Sequence, residues 1–236
     1  MNDEQPGLSP ETRGLEDRLY RQRFGASEDR GRAVLWEVLS RNFLTRWIRP
    51  EHAVLDVGAG DGLFLRSVDA RERIAVDPSP HALALETAGI RVIQASAVEF
   101  ADRLDAPVDV VMMSNLLEHL PEKDDVFRVL EQCQRALAPG GLLMILQPNI
   151  RYVGPAYWDY IDHRIALTEH SVVEALEVMG FEVLRLIPRF LPYTAKSWLG
   201  RLVDGPLGNA IIALYLKLPL LWRIFGRQTF VVARRP

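Results

Sequence analysis

The chain has 236 residues, 48% hydrophobic and 25% charged, with a formal net charge of -3. That is the profile of a globular protein long enough for one large domain with a buried core. The slightly acidic balance gives no electrostatic reason to expect nucleic acid as a partner, and the lone cysteine, Cys133, excludes an internal disulfide and a cysteine-based zinc site.

Residues 1–14 are rich in Pro, Gly, Glu and Asp and are expected to be disordered. They lack an apolar h-region, so no signal peptide is read there and a reducing, cytoplasmic location is expected. The remainder, 15–236, reads as a single domain. Its first part, 15–49, is a helical cap in two pieces broken near Gly25. In the second piece Leu35, Leu39, Phe43 and Trp47 recur four apart, beside Val34 and Val38. That spacing predicts an amphipathic helix with Ser27 as N-cap and Pro50 as its end.

Beyond Pro50 the period changes. "AVLDVG" (53–58), "RIAVD" (73–77), "RVIQA" (91–95), "VDVVMMSN" (108–115) and "GLLMILQPN" (141–149) are short apolar runs bounded by turn residues, as buried parallel strands are. Helical patterns lie between them. The clearest spans about 122–138, with Val126, Val129, Leu130, Cys133 and Leu137 on one face and "APGG" ending it. Another helix follows Thr168 and closes at Gly180. The strands "FEVLRLIP" and "QTFVVARR" come last, separated by a helical insertion at 189–227. This alternation predicts an α/β, doubly wound, Rossmann-like sheet.

The stretch "VLDVGAGDG" (54–62) carries the chemistry. Glycine is costly in regular structure, so Gly58, Gly60 and Gly62 straight after a strand imply a turn that something approaches closely. In an open α/β sheet such a loop lies where ligands bind, at the carboxyl ends of the strands, with free helix N–H groups beside it. Asp56 precedes the loop and Asp77 ends the second strand, placed to take both hydroxyls of a ribose. A nucleotide, a dinucleotide or a plain tight turn are the readings from these residues alone.

Taken in order, "VLDVGAGDG", "AVDPSP", "VDVVMMSNLLEHL" and "ALAPGGLLMI" resemble successive motifs of the class I S-adenosylmethionine-dependent methyltransferases, over about residues 50–150. The resemblance implies a seven-stranded sheet with its last strand antiparallel and S-adenosyl-L-methionine as cofactor. It implies that Gly58, Ala59, Gly60 and Gly62 lie against the methionyl part and that Asp56 holds the loop and the amino acid moiety. Asp77 would bind the ribose, Pro78, Ser96 and Ala97 would border the adenine, and Ser114, Asn115 and Leu116 would lie near the sulfonium. A nicotinamide-dependent oxidoreductase and a non-catalytic methyltransferase-like binding protein are the alternatives. The G-x-G-x-G spacing and the lack of a Tyr-x-x-x-Lys pattern weigh against the first.

Methyl transfer needs alignment above all, and a base where the acceptor must lose a proton. The candidates are His163, in the acceptor-side stretch "NIRYVGPAYWDYIDHR", and His119, in "LLEHL". His170 reads as a cap residue. Pairs similar to Glu118-His119 occur in O-methyltransferases of the ubiquinone-biosynthesis type, some of which use a carboxylate three positions earlier to hold a metal. Asn115 stands there, so no metal is expected. Tyr152, Tyr157 and Trp158 are expected to pack a ring of the acceptor, with Tyr160, Asp159, Asp162 and Arg164 nearby. This stretch, with "PRFLPYTAKS", resembles bacterial methyltransferases associated with surface polysaccharides, which points to a small-molecule acceptor of the sugar or lipid-linked glycan kind.

In the insertion, "GNAIIALYLKLPLLWRIFG" (208–226) is too short and interrupted to span a bilayer. Lys196, Arg201, Lys217, Arg223 and Arg227 flank or punctuate it, and Trp222 lies near its end. The readings are a peripheral membrane contact, a helix closing the substrate pocket, or a homodimer contact.

Overall fold

Seven apolar runs line up as one sheet in the computed structural model, which describes residues 26–193 and 207–236. The strands are β1 (Ala53–Val57), β2 (Glu72–Val76), β3 (Arg91–Ile93), β4 (Val108–Ser114), β5 (Leu137–Pro148), β6 (Glu182–Ile187) and β7 (Gln228–Arg234), in the order β3-β2-β1-β4-β5-β7-β6. The first five pair in parallel, and β7 inserts antiparallel between β5 and β6. The expected sheet with an antiparallel last strand is therefore present.

Successive strand residues alternate between two cores, as a pleated sheet covered on both sides requires. Leu55, Val57, Val111, Met113, Leu143, Ile145 and Val231 face α3 (Lys123–Ala136) and α5 (Glu169–Val178). Val54, Val110, Met112, Met144, Leu146, Phe230 and Val232 face the other way. They meet α1 (Ala26–Asn42), α2 (Leu63–Ser67), α6 (Gly208–Lys217) and α7 (Pro219–Phe225). α4 (Ile150–Val153) is a single turn after β5. Thr168 starts α5 as the sequence implies: its Oγ1 accepts from the Ser171 N–H, and the Ser171 hydroxyl accepts from the Thr168 N–H. His170 is exposed beside Glu169 and takes no part in that cap.

Three local expectations are corrected. Ser27 falls inside α1 rather than capping it. That helix stops at Asn42, well before Pro50, and a 3-10 turn, Leu44–Arg46, follows. The reason is Phe43. It leaves helical geometry at φ -128° and enters an aromatic cluster, its ring centroid 4.5 Å from Phe190, 5.2 Å from Trp47, 5.4 Å from Phe230 and 5.9 Å from Trp222. Tertiary packing outweighs helical periodicity there. "APGG" also does more than end a helix. β5 begins directly at Leu137, and the turn is absorbed where the partner of Val108 is Leu137 and that of Val110 is Leu142. Gly140 holds a φ of +79°.

α6 and α7 meet at a bend of 102°. Their inner face, Ile212, Tyr215, Leu216 and Trp222, joins the core. The Tyr215 hydroxyl donates to the Phe190 carbonyl and the Trp222 indole N–H to the Tyr215 carbonyl. Among the described residues no single helix is long and apolar enough to cross a membrane, though this bent pair passes by length and composition together. The disorder expected at 1–14, the first helical piece, and Lys196 and Arg201 in the insertion lie outside the described residues.

Phe43 is wholly buried at the meeting point of α1, β7 and the α6–α7 pair. Phe43→Ala is expected to lower stability by about 3–5 kcal/mol, the usual cost of emptying an aromatic core site. Urea denaturation followed by tryptophan fluorescence checks this; a midpoint shift worth under about 1 kcal/mol would show that the cluster does not join these elements.

Candidate functional site

The loop after β1 is fixed by backbone hydrogen bonds to β2. Gly58 N–H and Ala59 N–H both donate to the Val76 carbonyl, at 2.8 and 3.2 Å. Gly60 N–H donates to Asp77 Oδ2 at 2.8 Å, and Ser79 N–H to Asp77 Oδ1 at 2.9 Å. Gly58, Gly60 and Gly62 hold φ values of +77°, +54° and +69°, a region that side chains disfavour. At two of them a side chain would also press on the end of a neighbouring leucine, which would have to shift. A Cβ on Gly58 would lie 2.9 Å from Leu116 Cδ1, and one on Gly62 2.6 Å from Leu85 Cδ2.

Two carboxylates sit under this loop. Asp56 is 4% exposed, and its pKa is raised to about 8 by burial first, then by the charges of Asp77 and Asp61. Burial also raises Asp77. The Ser79 and Gly60 N–H groups pull it back, Asp61 adds to the rise, and the net direction is upward. Asp61 itself pairs with Arg32 of α1 at 3.0 Å. Exposed Pro78 follows Asp77, and its carbonyl accepts from the Gln94 amide beyond β3. Ser96 and Ala97, both half-buried, follow Gln94 in the chain after β3.

At the end of β4, Asn115 has a φ of +51°, and its N–H donates to the Leu146 carbonyl. It is the one non-glycine residue with positive φ among those described. Asparagine tolerates this conformation better than most. The turn carries half-buried Leu116 over Gly58 and brings Glu118 and His119 behind it.

Glu118, 3% exposed, His119 and buried His163 offer ligand atoms that all lie within 4.8 Å of one another. The Glu118 carbonyl accepts from the Arg164 and Ile165 N–H groups, tying the β4 turn to the aromatic loop. His119 Nδ1 lies 3.3 Å from Asp162 Oδ2, and its ring is 5.0 Å from that of His163. Tyr157, expected to face an acceptor, is instead 1% exposed. Its hydroxyl donates to the Ile165 carbonyl, and its ring lies 4.6 Å from His163. It holds the histidine. Tyr160 stacks on His163 at 5.1 Å. Tyr152 lies under the Arg189 guanidinium, and Trp158 is 55% exposed.

One anchor of this loop has no local sequence signal. Asn149, at the end of β5, is fully buried, and its amide donates to Glu169 Oε2 and Thr229 Oγ1 at 2.6 and 2.9 Å. Burial pushes the Glu169 carboxyl up, but the Asn149 amide, a helix N–H, Arg151 and His170 outweigh it and hold it below the ordinary value. An asparagine after a strand is unremarkable in sequence, so only the assembled fold identifies this hub.

Against known proteins, a family model described as a methyltransferase domain matches residues 26–186. An uncharacterized methyltransferase of Mycobacterium sp. (strain JLS) is 38% identical over 99 residues, 39% of this chain and 37% of that protein. An S-adenosylmethionine-dependent methyltransferase of Mycobacterium tuberculosis is 38% identical over 101 residues, 41% of this chain and 35% of that protein. The chain thus spans less than two fifths of the length of these curated relatives. In structure, a SAM-dependent methyltransferase from Archaeoglobus fulgidus superimposes with a TM-score of 0.61, covering 86% of this chain and 94% of that one. At 21% identity that is a likeness of fold.

Asp56 makes stability depend on pH. Its folded value, about 8, lies above its ordinary value of 3.8, so the folded state binds the extra proton between the two and stability falls as pH rises through that window. Asp56→Asn removes the proton. Its urea midpoint is expected to fall less than that of the unaltered chain between about pH 4 and pH 8; parallel curves would refute the assignment.

Proposed function

The chain belongs to the class I S-adenosylmethionine-dependent methyltransferases, within the methyltransferase domain family, and from that premise we propose that it methylates a small-molecule acceptor of the sugar, glycan or lipid-linked kind. The observation that carries the reading is the joint placement of Asp56, the Gly58–Gly62 loop and Asp77 at the ends of β1 and β2. These residues suit the cofactor. A buried carboxylate with a raised pKa gains from a neighbouring ammonium, which the amino acid part of S-adenosylmethionine carries. Asp77 uses each oxygen once, for Gly60 and Ser79, and a carboxylate has further lone pairs for ribose hydroxyls. Pro78, Ser96 and Ala97 would border the base, and Ser114, Asn115 and Leu116 the reacting end. When bound, the cofactor supplies an electrophilic methyl group on a sulfonium.

The protein's own work is then to orient the acceptor and to take its proton where it has one to lose. His119 and His163 are the bases in this reading. The Asp162 carboxylate beside His119 Nδ1 supports the first, and the Tyr157 and Tyr160 rings that fix His163 support the second. Trp158 and Tyr152 offer ring surface to an acceptor.

The outer face of α6 and α7 favours an acceptor presented at a membrane. Leu207, Leu214, Leu218, Leu220 and Ile224 are exposed there, Leu220 by 73%. Lys217 and Arg223 punctuate the face, and no acidic residue occurs from Gly208 to Phe225. An apolar surface with interspersed cations suits the interface of an anionic bilayer.

Calorimetry tests the cofactor assignment. S-adenosylhomocysteine should bind and NAD should not. Asp77→Ala should cost about 1.5–3 kcal/mol of affinity, the scale of hydrogen bonds to a charged group, and Gly58→Val should abolish binding. Unchanged affinity in both variants would sink the reading. Flotation with anionic liposomes tests the membrane contact separately. Binding should fall when Lys217 and Arg223 become Glu; no binding at low salt would leave these helices as a lid or a dimer contact.

A further inference from the structure

We propose that Glu118, His119 and His163 form a binding site for one divalent transition-metal ion at the acceptor end of the fold, of the zinc, cobalt or iron(II) class. No metal is expected from the sequence, because Asn115 stands where a further carboxylate would be needed. The structure provides the third donor from a different loop, 44 residues beyond His119.

The donor set is one carboxylate and two imidazoles, which suits zinc and its first-row neighbours better than magnesium or calcium. Their ligand atoms lie within 4.8 Å of one another, and His119 Nε2 lies 4.0 Å from Glu118 Oε1. Donors around one zinc ion sit about 3.4 Å apart, from metal–ligand lengths near 2.1 Å in a tetrahedron. Small side-chain rotations bring the three that close.

A second observation concerns what stands behind the ligands. A metal-bound histidine nearly always gives its other ring nitrogen to a carboxylate or carbonyl. His119 Nδ1 faces both the carboxylate and the carbonyl of Asp162, each at 3.3 Å. That arrangement turns Nε2 toward the cluster. Tyr157 and Tyr160 pack on the His163 ring and fix its plane. Three protein ligands are also the number that leaves coordination positions for a substrate oxygen.

The position connects the site to the chemistry, and in this respect the inference rests on the methyl-transfer reading. Leu116, which covers Gly58, is two residues from Glu118. A cation held there would lower the pKa of an acceptor hydroxyl bound to it. The two histidines would then act as ligands in place of bases.

The test uses the full untagged chain, stripped with a chelator and titrated with Co2+ and then Zn2+. One equivalent of Co2+ should bind with a visible d–d absorption band that Zn2+ abolishes. Glu118→Gln and His163→Ala should each weaken Co2+ binding by more than about tenfold, and Asp162→Asn by about ten- to a hundredfold, with circular dichroism unchanged. His170→Ala, at an exposed residue outside the three donors, should leave it unaltered. Asp162 is only half-buried, so its variant still reports on binding if a core substitution fails to fold. No stoichiometric band in the unaltered chain, or unchanged Co2+ affinity in both Glu118→Gln and His163→Ala, would overturn the site; equal affinity in Asp162→Asn would refute the role given to its carboxylate. A chain that binds S-adenosylhomocysteine but not Co2+ refutes the metal site alone; one that binds Co2+ but not S-adenosylhomocysteine refutes the methyl-transfer reading alone.

Discussion

Asp56 and Asp77 are buried at the carboxyl ends of adjacent parallel strands, close enough to repel, and the geometry of the site follows from how that cost is met. A buried carboxylate needs hydrogen-bond donors or a counter-charge. Asp77 obtains two backbone N–H groups, from Gly60 and Ser79. For Gly60 to aim its N–H there while Gly58 continues the ladder to Val76, the chain must turn through positive φ, and glycine allows it. Asp56 carries the larger burden, with a pKa raised to about 8. Below that pH the folded protein meets the burden by keeping a proton on Asp56, and a bound cationic group would favour the ionised form instead. Under the proposed reading, the same feature that lowers stability as pH rises would contribute affinity for the cofactor's ammonium group.

The far end of the fold is held differently. No parallel strand dictates where the loop 150–168 lies. It is held by Asn149, whose single buried amide joins β5, α5 and β7, and by the Glu118 carbonyl, which takes two of its N–H groups. On the opposite face of the sheet Phe43 and Phe190 join α1, β7 and the α6–α7 pair. Arg189 adds hydrogen bonds to the Ile224 and Gly226 carbonyls. Both outlying parts thus hang from β5, β7 and the chain after β6, while the donor end hangs from β1 and β2.

This division explains what the sequence could reveal. Strand positions were legible to within a few residues because burial on both faces leaves an apolar run that turns bound on either side. The positions of the glycine loop and both carboxylates were legible because they are set locally at strand ends. The stop of α1 at Asn42 was not, since the pull on Phe43 comes from Phe190, Trp222 and Phe230, far along the chain. Nor was the assembly of Glu118 and His119 with His163, a contact across 44 residues with no periodic trace. Tyr157 read as a ring platform because composition cannot tell an aromatic that faces a ligand from one that packs behind a histidine.

Asn115 is the joint between the two ends. Its positive φ is a conformation that costs of order 1 kcal/mol in a residue with a side chain, and the anchored Asn115 N–H, bonded to Leu146, holds it. From this one turn the chain sends Leu116 over Gly58, and Glu118 and His119 against the loop that carries His163. A residue preferring extended backbone at 115 would move both together, uncovering the glycine loop as it pulled the carboxylate and imidazole away from their partner. The glycine loop and the Glu118–His163 cluster are therefore coupled through a strained backbone at the end of β4, and under the proposed reading the alignment on which methyl transfer depends would be set by the five residues 115–119 and their hydrogen bonds.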